Sequence, residues 1–431
     1  MHIQQSDQPK IAQSKEKREQ GHPAGATLSL PGMNAEVSRA NLMKKLSRVV
    51  FAYDGGFART ADGKIYSQGG FPAENWGRYL DFAEELIVTA RMHDVESATG
   101  VLSSRDRVTF VRVPSISSPT HVLTNRPLAK EILEHEIGLA DHLIVRLPSE
   151  IGLLAISIAR RLGKKFSTEL VGDPLTALAH HKKLYARLYA PLLSLRVRRA
   201  IARSRACIYV TRRALQALYP CTGLSASASN VNITLAPWPD VQEVLRKKLN
   251  KQRKSFGLIG SMVTDYKGVD IAIRALSLLI GKGHDCELHI LGSGDHVHLE
   301  DLAGSLGVAE KVHFDGTRNS SAEVLEWLDQ QTFYLQPSRS EGLPRSLIEA
   351  MSRGLPAAGS DRGGIPELLA ESFIFENLEH TGLSVIMERM LELQPDEYLK
   401  AGRNAYETAA TYERKNLDEI RHNFWKESLI S

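Results

Sequence analysis

The chain has 431 residues, 42% of them hydrophobic and 24% charged, with a formal net charge of +4. That length exceeds one ordinary hydrophobic core and that composition is globular, so a single small domain and a disordered polymer are excluded, and two domains of roughly 150–200 residues are expected. The three cysteines, Cys207, Cys221 and Cys286, make neither an even set nor a C-x-x-C pair, which argues against a disulfide framework and a cysteine zinc site and suits a reducing cytoplasm.

Residues 1–47 open with the polar, charged run MHIQQSDQPKIAQSKEKREQ, which lacks the apolar centre of a secretory signal and is expected to be a disordered arm. Over residues 48–244, short apolar runs alternate with helical patterns: Val49–Tyr53, Leu86–Ala90, Leu143–Arg146, Phe166–Val171 and Ala206–Val210 read as strands. Such alternation predicts a parallel sheet with helices on both faces. Apolar stretches such as Ile151–Ala159 fall short of the roughly 20 residues a membrane-spanning helix needs.

Asp54-Gly55-Gly56 follows the first strand; Gly55 and Gly56 there either form a plain turn or let backbone amides approach a phosphate. Gly172-Asp173-Pro174 closes a later strand at the sheet edge where open α/β folds bind ligands, which makes Asp173 a candidate site residue, with His180 and His181 beyond it. Pro174 as a simple strand stop is the competing reading. No acidic residue lies between Asp173 and Asp240, whereas Lys182, Lys183, Arg187, Arg196, Arg198 and Arg199 accompany Leu184, Tyr185, Leu188, Tyr189, Leu192, Leu193 and Leu195. A basic amphipathic stretch of this kind suits an anionic membrane surface, and no nucleic-acid recognition module accompanies it.

Residues 245–254 are Lys/Arg-rich and read as a linker. A second alternation fills residues 255–405, with strand-like Phe256–Gly260, Cys286–Leu291, Lys311–Phe314, Thr332–Leu335 and Pro356–Gly359; residues 406–431 end in a helix expected to pack back on the first domain. Two Rossmann-like, doubly wound α/β domains in tandem follow.

After Thr332–Leu335 comes Ser338-Arg-Ser-Glu341-Gly-Leu-Pro-Arg-Ser-Leu-Ile-Glu349, in which Pro344 suits a helix's first turn and Gly354 its end. Unpaired amides and a positive dipole end at that helix start suit a diphosphate, and Gly342 permits its close approach. Glu349, about five residues inside, is roughly 7 Å down the axis, the separation of a nucleotide's diphosphate from its ribose diol. Glu341, on the other side, is placed for a sugar's hydroxyls. Two solvated glutamates on an ordinary surface helix are the competing reading.

The segment Ser338–Glu349 resembles the E-x7-E signature of glycosyltransferase family 4 (group 1), and Gly363-Gly364-Ile365-Pro366-Glu367 resembles the GG-x-PE turn that follows it. Phe256–Gly260, Tyr266-Lys267-Gly268 and Leu291-Gly-Ser-Gly294 are similar to further family segments in the expected order. The resemblance implies a GT-B architecture, with two Rossmann-like domains facing a cleft, and a nucleotide-sugar donor held mainly by the C-terminal domain. It implies that Glu341 contacts the donor sugar, Glu349 the ribose and Lys267 the diphosphate, with Gly342, Leu343, Ser261 and Gly364 around the donor. Ser261 stands where most relatives carry an arginine; Arg339, Arg345 or an arginine of the first domain is expected to supply that charge.

The implied reaction is retaining transfer of a hexose-type sugar from a UDP- or GDP-sugar to a lipid-linked or saccharide acceptor, in exopolysaccharide, capsule or O-antigen assembly. No Asp-x-Asp pair is present, so neither a metal nor another cofactor is expected and Mg²⁺ is dispensable. The alternatives are a non-catalytic partner that binds nucleotide-sugar or lipid, and a nucleotide-sugar epimerase of the same architecture.

Overall fold

The computed structural model describes residues 45–67, 70–98, 100–179, 183–318 and 320–430. Its N-terminal half contains β1 (Leu46–Arg59), β2 (Ile65–Ser67), β3 (Ala83–Asp94), β4 (Val101–Leu102), β5 (Val108–Arg112), β6 (His142–Leu147), β7 (Phe166–Leu170), β8 (Ala206–Tyr209) and β9 (Leu224–Ser227). The parallel strands run in the order β5-β3-β1-β6-β7-β8-β9, and β2 and β4 extend the sheet antiparallel beside β1. Val49, Val50, Phe51 and Ala52 of β1 are wholly buried because helices cover both faces of the sheet, which is why this strand is a continuous apolar run.

The C-terminal half contains β10 (Lys254–Ile259), β11 (Cys286–Leu291), β12 (Val312–Phe314), β13 (Phe333–Gln336), β14 (Ala357–Ser360) and β15 (Ile374–Phe375), all parallel, in the order β12-β11-β10-β13-β14-β15. Both halves are therefore doubly wound, and the strand order reverses between β1 and β6 in the first and between β10 and β13 in the second. Those reversals open crevices at the C-terminal strand ends, the usual ligand position in such sheets.

Three expectations are corrected here. Residues 245–254 are not a linker: the helix Trp238–Leu249 runs into them, Leu245 is fully buried in the C-terminal core, and Lys248 is buried with its ammonium 3.5 Å from the Leu328 carbonyl. The amphipathic repeat Val241, Leu245, Lys248 assigns that helix to the second domain, so the first does not extend to residue 244, and the crossing between halves is the irregular stretch 228–237. Gly55 and Gly56 do not follow the first strand but lie within it. The β1–β3 register shifts between Ala52 and Gly56, and pairing resumes at Gly56–Arg91, so Tyr53, Asp54 and Gly55 form a bulge. Of the arm assigned to 1–47, residues 1–44 lie outside the described residues, and Leu46 and Ser47 are already in β1.

The last helix, Arg414–Ile430, returns to the N-terminal half. The Trp425 ring packs edge-on against Tyr79 at 5.3 Å, the Ser428 and Ser167 hydroxyls are 2.6 Å apart, and the buried Arg421 guanidinium donates to the Ser229 carbonyl. The helix thereby ties the two halves together beside the crossing stretch 228–237, where the Arg414 amide also donates to the Ile233 carbonyl.

Candidate active site

Both loops at the β10/β13 reversal are shaped by close backbone approach. After β10, Asp265–Lys267 form one 3-10 turn and Gly268, at φ +71°, opens the helix Val269–Gly281. A side chain at Gly268 is excluded twice, by that left-handed φ and by the Pro337 carbonyl, 2.0 Å from where a Cβ would stand. This contact presses the Lys267 turn against the loop that follows β13.

The result is a polar knot. The Lys267 ammonium lies 2.5 Å from Glu341 Oε1, which also accepts from the Ser338 hydroxyl at 2.9 Å and from Gln336 Nε2 at 3.1 Å. The two ionic side chains are only 14% and 10% exposed. Gln336 is itself held: its Oε1 accepts from the Tyr334 and Ser346 hydroxyls, each at 3.2 Å. Glu341 is thus oriented by three donors, all of which meet Oε1.

The helix Arg345–Ser352 begins at once, with Pro344 as its cap and Gly354 in the left-handed region beyond its end. Its leading amides have no intrahelical acceptor. Glu349 lies one turn inside. Burial raises its carboxyl above the ordinary value, with the Arg345 charge a lesser, opposing influence. Among the described residues no side-chain or backbone donor meets this half-buried carboxylate, which keeps its oxygens open to a ligand that donates.

The arginine question is narrowed by the same geometry. Arg339 is unavailable to a ligand because it grips Asp270 with two bonds of 2.8 and 2.7 Å and donates to the Asp265 carbonyl at 2.7 Å. Arg345 is exposed at the helix start and lines a cavity of about 920 Å³ with Arg78, Asn230, Arg421 and His422. Apart from residues of the last helix, which packs on the N-terminal half, that cavity takes only Arg345 from the C-terminal part of the chain among the described residues, and it is not walled by Lys267, Glu341 or Glu349. Ser261 faces the neighbouring turn: its hydroxyl donates to the Ser293 carbonyl and accepts from the Val263 amide, both at 3.3 Å.

The knot sits on the boundary between the halves. A Cβ on Gly342 would stand 2.2 Å from the Val171 carbonyl at the end of β7, and the Ser340 hydroxyl donates to that of Thr176 at 2.9 Å. Leu343 is buried beneath the loop. Gly364, expected around the donor, has its N–H engaged by the Gly342 carbonyl at 2.7 Å, and Gly363, at φ +56°, stacks under Glu341.

Asp173 is also corrected. Its side chain is buried and caps its own short helix, accepting from the Leu175 and Thr176 amides at 3.0 and 3.1 Å and from the Tyr219 phenol. A carboxylate with both oxygens so engaged is an N-cap, not a free base. Gly55 and Gly56 are held away from a turn by the β1 bulge, which instead aims Asp54 at the start of the helix Glu150–Arg161, where it accepts from the Glu150 and Ile151 amides. His180 and His181 lie outside the described residues.

Two features escaped the sequence reading. At the C-terminal edge of the first sheet, Arg146 pairs with buried Glu169 at 3.1 Å while Tyr79 donates to the other Glu169 oxygen at 2.6 Å. Glu367, quoted only as part of a turn, accepts from the amides of Arg212, Arg213 and Ala214 at 2.6, 2.9 and 2.6 Å, so the second domain caps a helix of the first.

Residues 253–392 match the family model for glycosyl transferases group 1. The chain is 27% identical over 325 residues to protein CapJ of Staphylococcus aureus, a match that covers 75% of this chain and 81% of that one. It is 33% identical over 114 residues to the amylovoran biosynthesis glycosyltransferase AmsK of Erwinia amylovora, covering 25% of this chain and only 28% of AmsK. Among solved structures it superimposes on Anabaena HepE in complex with UDP-glucose with a TM-score of 0.59 at 15% identity, over 88% of this chain and 99% of that one. The architecture is that of the GT-B glycosyltransferases.

Proposed function

Because residues 253–392 are a group 1 glycosyltransferase domain, we propose that the chain transfers a hexose-type sugar from a UDP- or GDP-sugar to a lipid-linked or saccharide acceptor in the assembly of a bacterial surface polysaccharide. The observation that carries this reading is the Lys267–Glu341 knot at the reversal point of a doubly wound sheet, followed by a helix that carries the half-buried Glu349 one turn inside its start. A sugar nucleotide satisfies each vacancy: its ribose diol donates to Glu349, its diphosphate meets the leading amides of Arg345–Ser352, and its sugar hydroxyls donate to Glu341. The UDP-glucose held by HepE and the polysaccharide named for AmsK support the donor and the setting.

In this mechanism Lys267 exchanges part of its contact with Glu341 for the diphosphate and, with Arg345 and the helix dipole, stabilises the charge that builds on the leaving group. Arg345 takes the place of the arginine absent at residue 261. The transfer proceeds with retention of configuration and without a divalent cation. Close packing of the halves around Gly342 excludes water that would hydrolyse the donor.

The acceptor's lipid is met by the helix Leu184–Ile201. Its outer face exposes Leu184, Leu188, Leu192 and Leu195, at 65, 73, 52 and 42%, flanked by Arg187, Arg198 and Arg199. No described helix is long and apolar enough to cross a membrane, so this face would dock on the bilayer surface.

The test is turnover of isotopically labelled UDP- and GDP-sugars with lipid-linked acceptors, with and without added Mg²⁺. Nucleotide release that is indifferent to Mg²⁺ and lost in Glu341→Ala and Glu349→Ala is the expected result. Tight donor binding with no turnover on any acceptor would assign the chain instead to a non-catalytic role.

A further inference from the structure

Away from the cleft, on the β11/β12 edge of the second sheet, three metal-ligating side chains meet on one face. Glu287 and His289 are two apart on β11, so they point to the same side of the sheet, and His313 of β12 is the register partner of His289. The ligating atoms of Glu287, His289 and His313 all lie within 4.8 Å of one another. Glu287 meets one imidazole with each oxygen: His289 Nε2 is 3.2 Å from its Oε1, and His313 Nε2 is 3.6 Å from its Oε2. A tetrahedral ion with ligand bonds of about 2.0–2.1 Å sets its donors roughly 3.3 Å apart, so both spacings are close to those of a zinc coordination shell.

The surroundings are those of a ligating histidine. His289 Nδ1 is 3.0 Å from Asp315 Oδ2, and the Trp327 indole N–H donates to that same oxygen at 2.7 Å. A carboxylate on one imidazole nitrogen fixes the ring's orientation and tautomer and frees the other nitrogen for a cation. The two imidazoles lie stacked, centroids 4.6 Å apart and 26° from parallel, which brings both Nε2 atoms to Glu287. Among the described residues Arg253 is a rival cation for Glu287; its Nη1 is 3.6 Å from Glu287 Oε2, but its Nε is already bound to Asp285 at 2.9 Å.

We infer that Glu287, His289 and His313 bind a borderline divalent cation, Zn²⁺, as a three-ligand site with water completing the shell, which staples the short edge strand β12 to β11. The role is structural, separate from the donor chemistry, because the ligands sit within the sheet edge and not among Lys267, Glu341 and Glu349. Binding such an ion adds stability to the folded chain in proportion to its occupancy.

The experiment titrates chelator-treated full-length protein with Zn²⁺ alone by calorimetry, and with Co²⁺ alone by visible absorption. One Zn²⁺ per chain, visible Co²⁺ bands of a four-coordinate nitrogen–oxygen site, and a melting temperature raised by about 3 °C at Zn²⁺ a hundredfold over its Kd are expected. His289→Ala and the half-exposed His313→Asn are each expected to weaken Zn²⁺ binding at least tenfold while both apo variants keep the wild-type circular dichroism. Absence of binding in the micromolar range, or Zn²⁺ that binds both folded variants as tightly as wild type, would overturn the assignment and leave the cluster an ion-pair network only.

Discussion

The Lys267 ammonium and the Glu341 carboxylate, 74 positions apart in sequence, meet at 2.5 Å with both side chains nearly buried. Gly268 makes that meeting possible by letting the Lys267 turn press against the Pro337 carbonyl. Removal of one partner strands the other's charge. Lys267→Met is expected to cost on the order of 3 kcal/mol of unfolding free energy, and the double variant Lys267→Met/Glu341→Gln markedly less than the sum of the singles. Denaturant titration of the four proteins checks this; additive losses would mean that the pair does not interact.

Glu349 imposes a pH dependence on donor binding. Burial raises its free-state pKa above the ordinary carboxylate value of 4.5, and a ribose diol that donates to the carboxylate lowers it again in the complex. Affinity is then full at pH above the raised pKa and falls as pH drops through it, because protons compete with the ribose, and binding in that window releases a proton. Calorimetry in buffers of different ionisation enthalpy reads this release. Glu349→Gln is expected to flatten the profile; an unchanged profile would remove Glu349 from the ribose site.

Glu367 joins the halves through three amides of residues 212–214. Hydrogen bonds to a charged acceptor contribute about 1.5–3 kcal/mol. Glu367→Ala is therefore expected to shift the molecule toward an open arrangement, seen as a larger radius of gyration in small-angle scattering, with a higher KM for the donor. A scattering curve identical to wild type would show that this contact does not set the closure.

The leucine and arginine face of Leu184–Ile201 predicts flotation with anionic liposomes at low ionic strength and release at high salt. Leu188→Asp with Leu192→Asp is expected to abolish flotation and leave the fold intact, since both side chains are exposed. Equal flotation of wild type and the double variant would place any membrane contact elsewhere.

Most of the fold was legible because its central strands are buried on both faces and so appear as short apolar runs: β11, Cys286–Leu291, has the bounds its sequence predicts. The strands missed are short, like β2 and β4, or half polar, like Leu224–Ser227. The false linker arose from Lys248, a charged residue at a core position of its helix, where burial pushes its pKa down to about 7. Asp173 before Pro174 carries a helix-cap signature that was outweighed by its place at a sheet edge. Glu341 and Glu349 stand out in the sequence by their spacing and Lys267 by the family resemblance, whereas the amides that donate to Glu367 and Asp54 lie about 150 and 96 residues away, and no local pattern reports such pairings.

The central claim, that the loop and helix from Glu341 to Glu349 hold a sugar nucleotide, is tested most directly by calorimetric titration of UDP, GDP and their monophosphates into wild type and Glu349→Ala. One diphosphate is expected to bind in the micromolar range, its monophosphate at least tenfold more weakly, and Glu349→Ala to lose tenfold or more in affinity for both. A nucleotide diphosphate that binds Glu349→Ala as tightly as wild type would contradict the account.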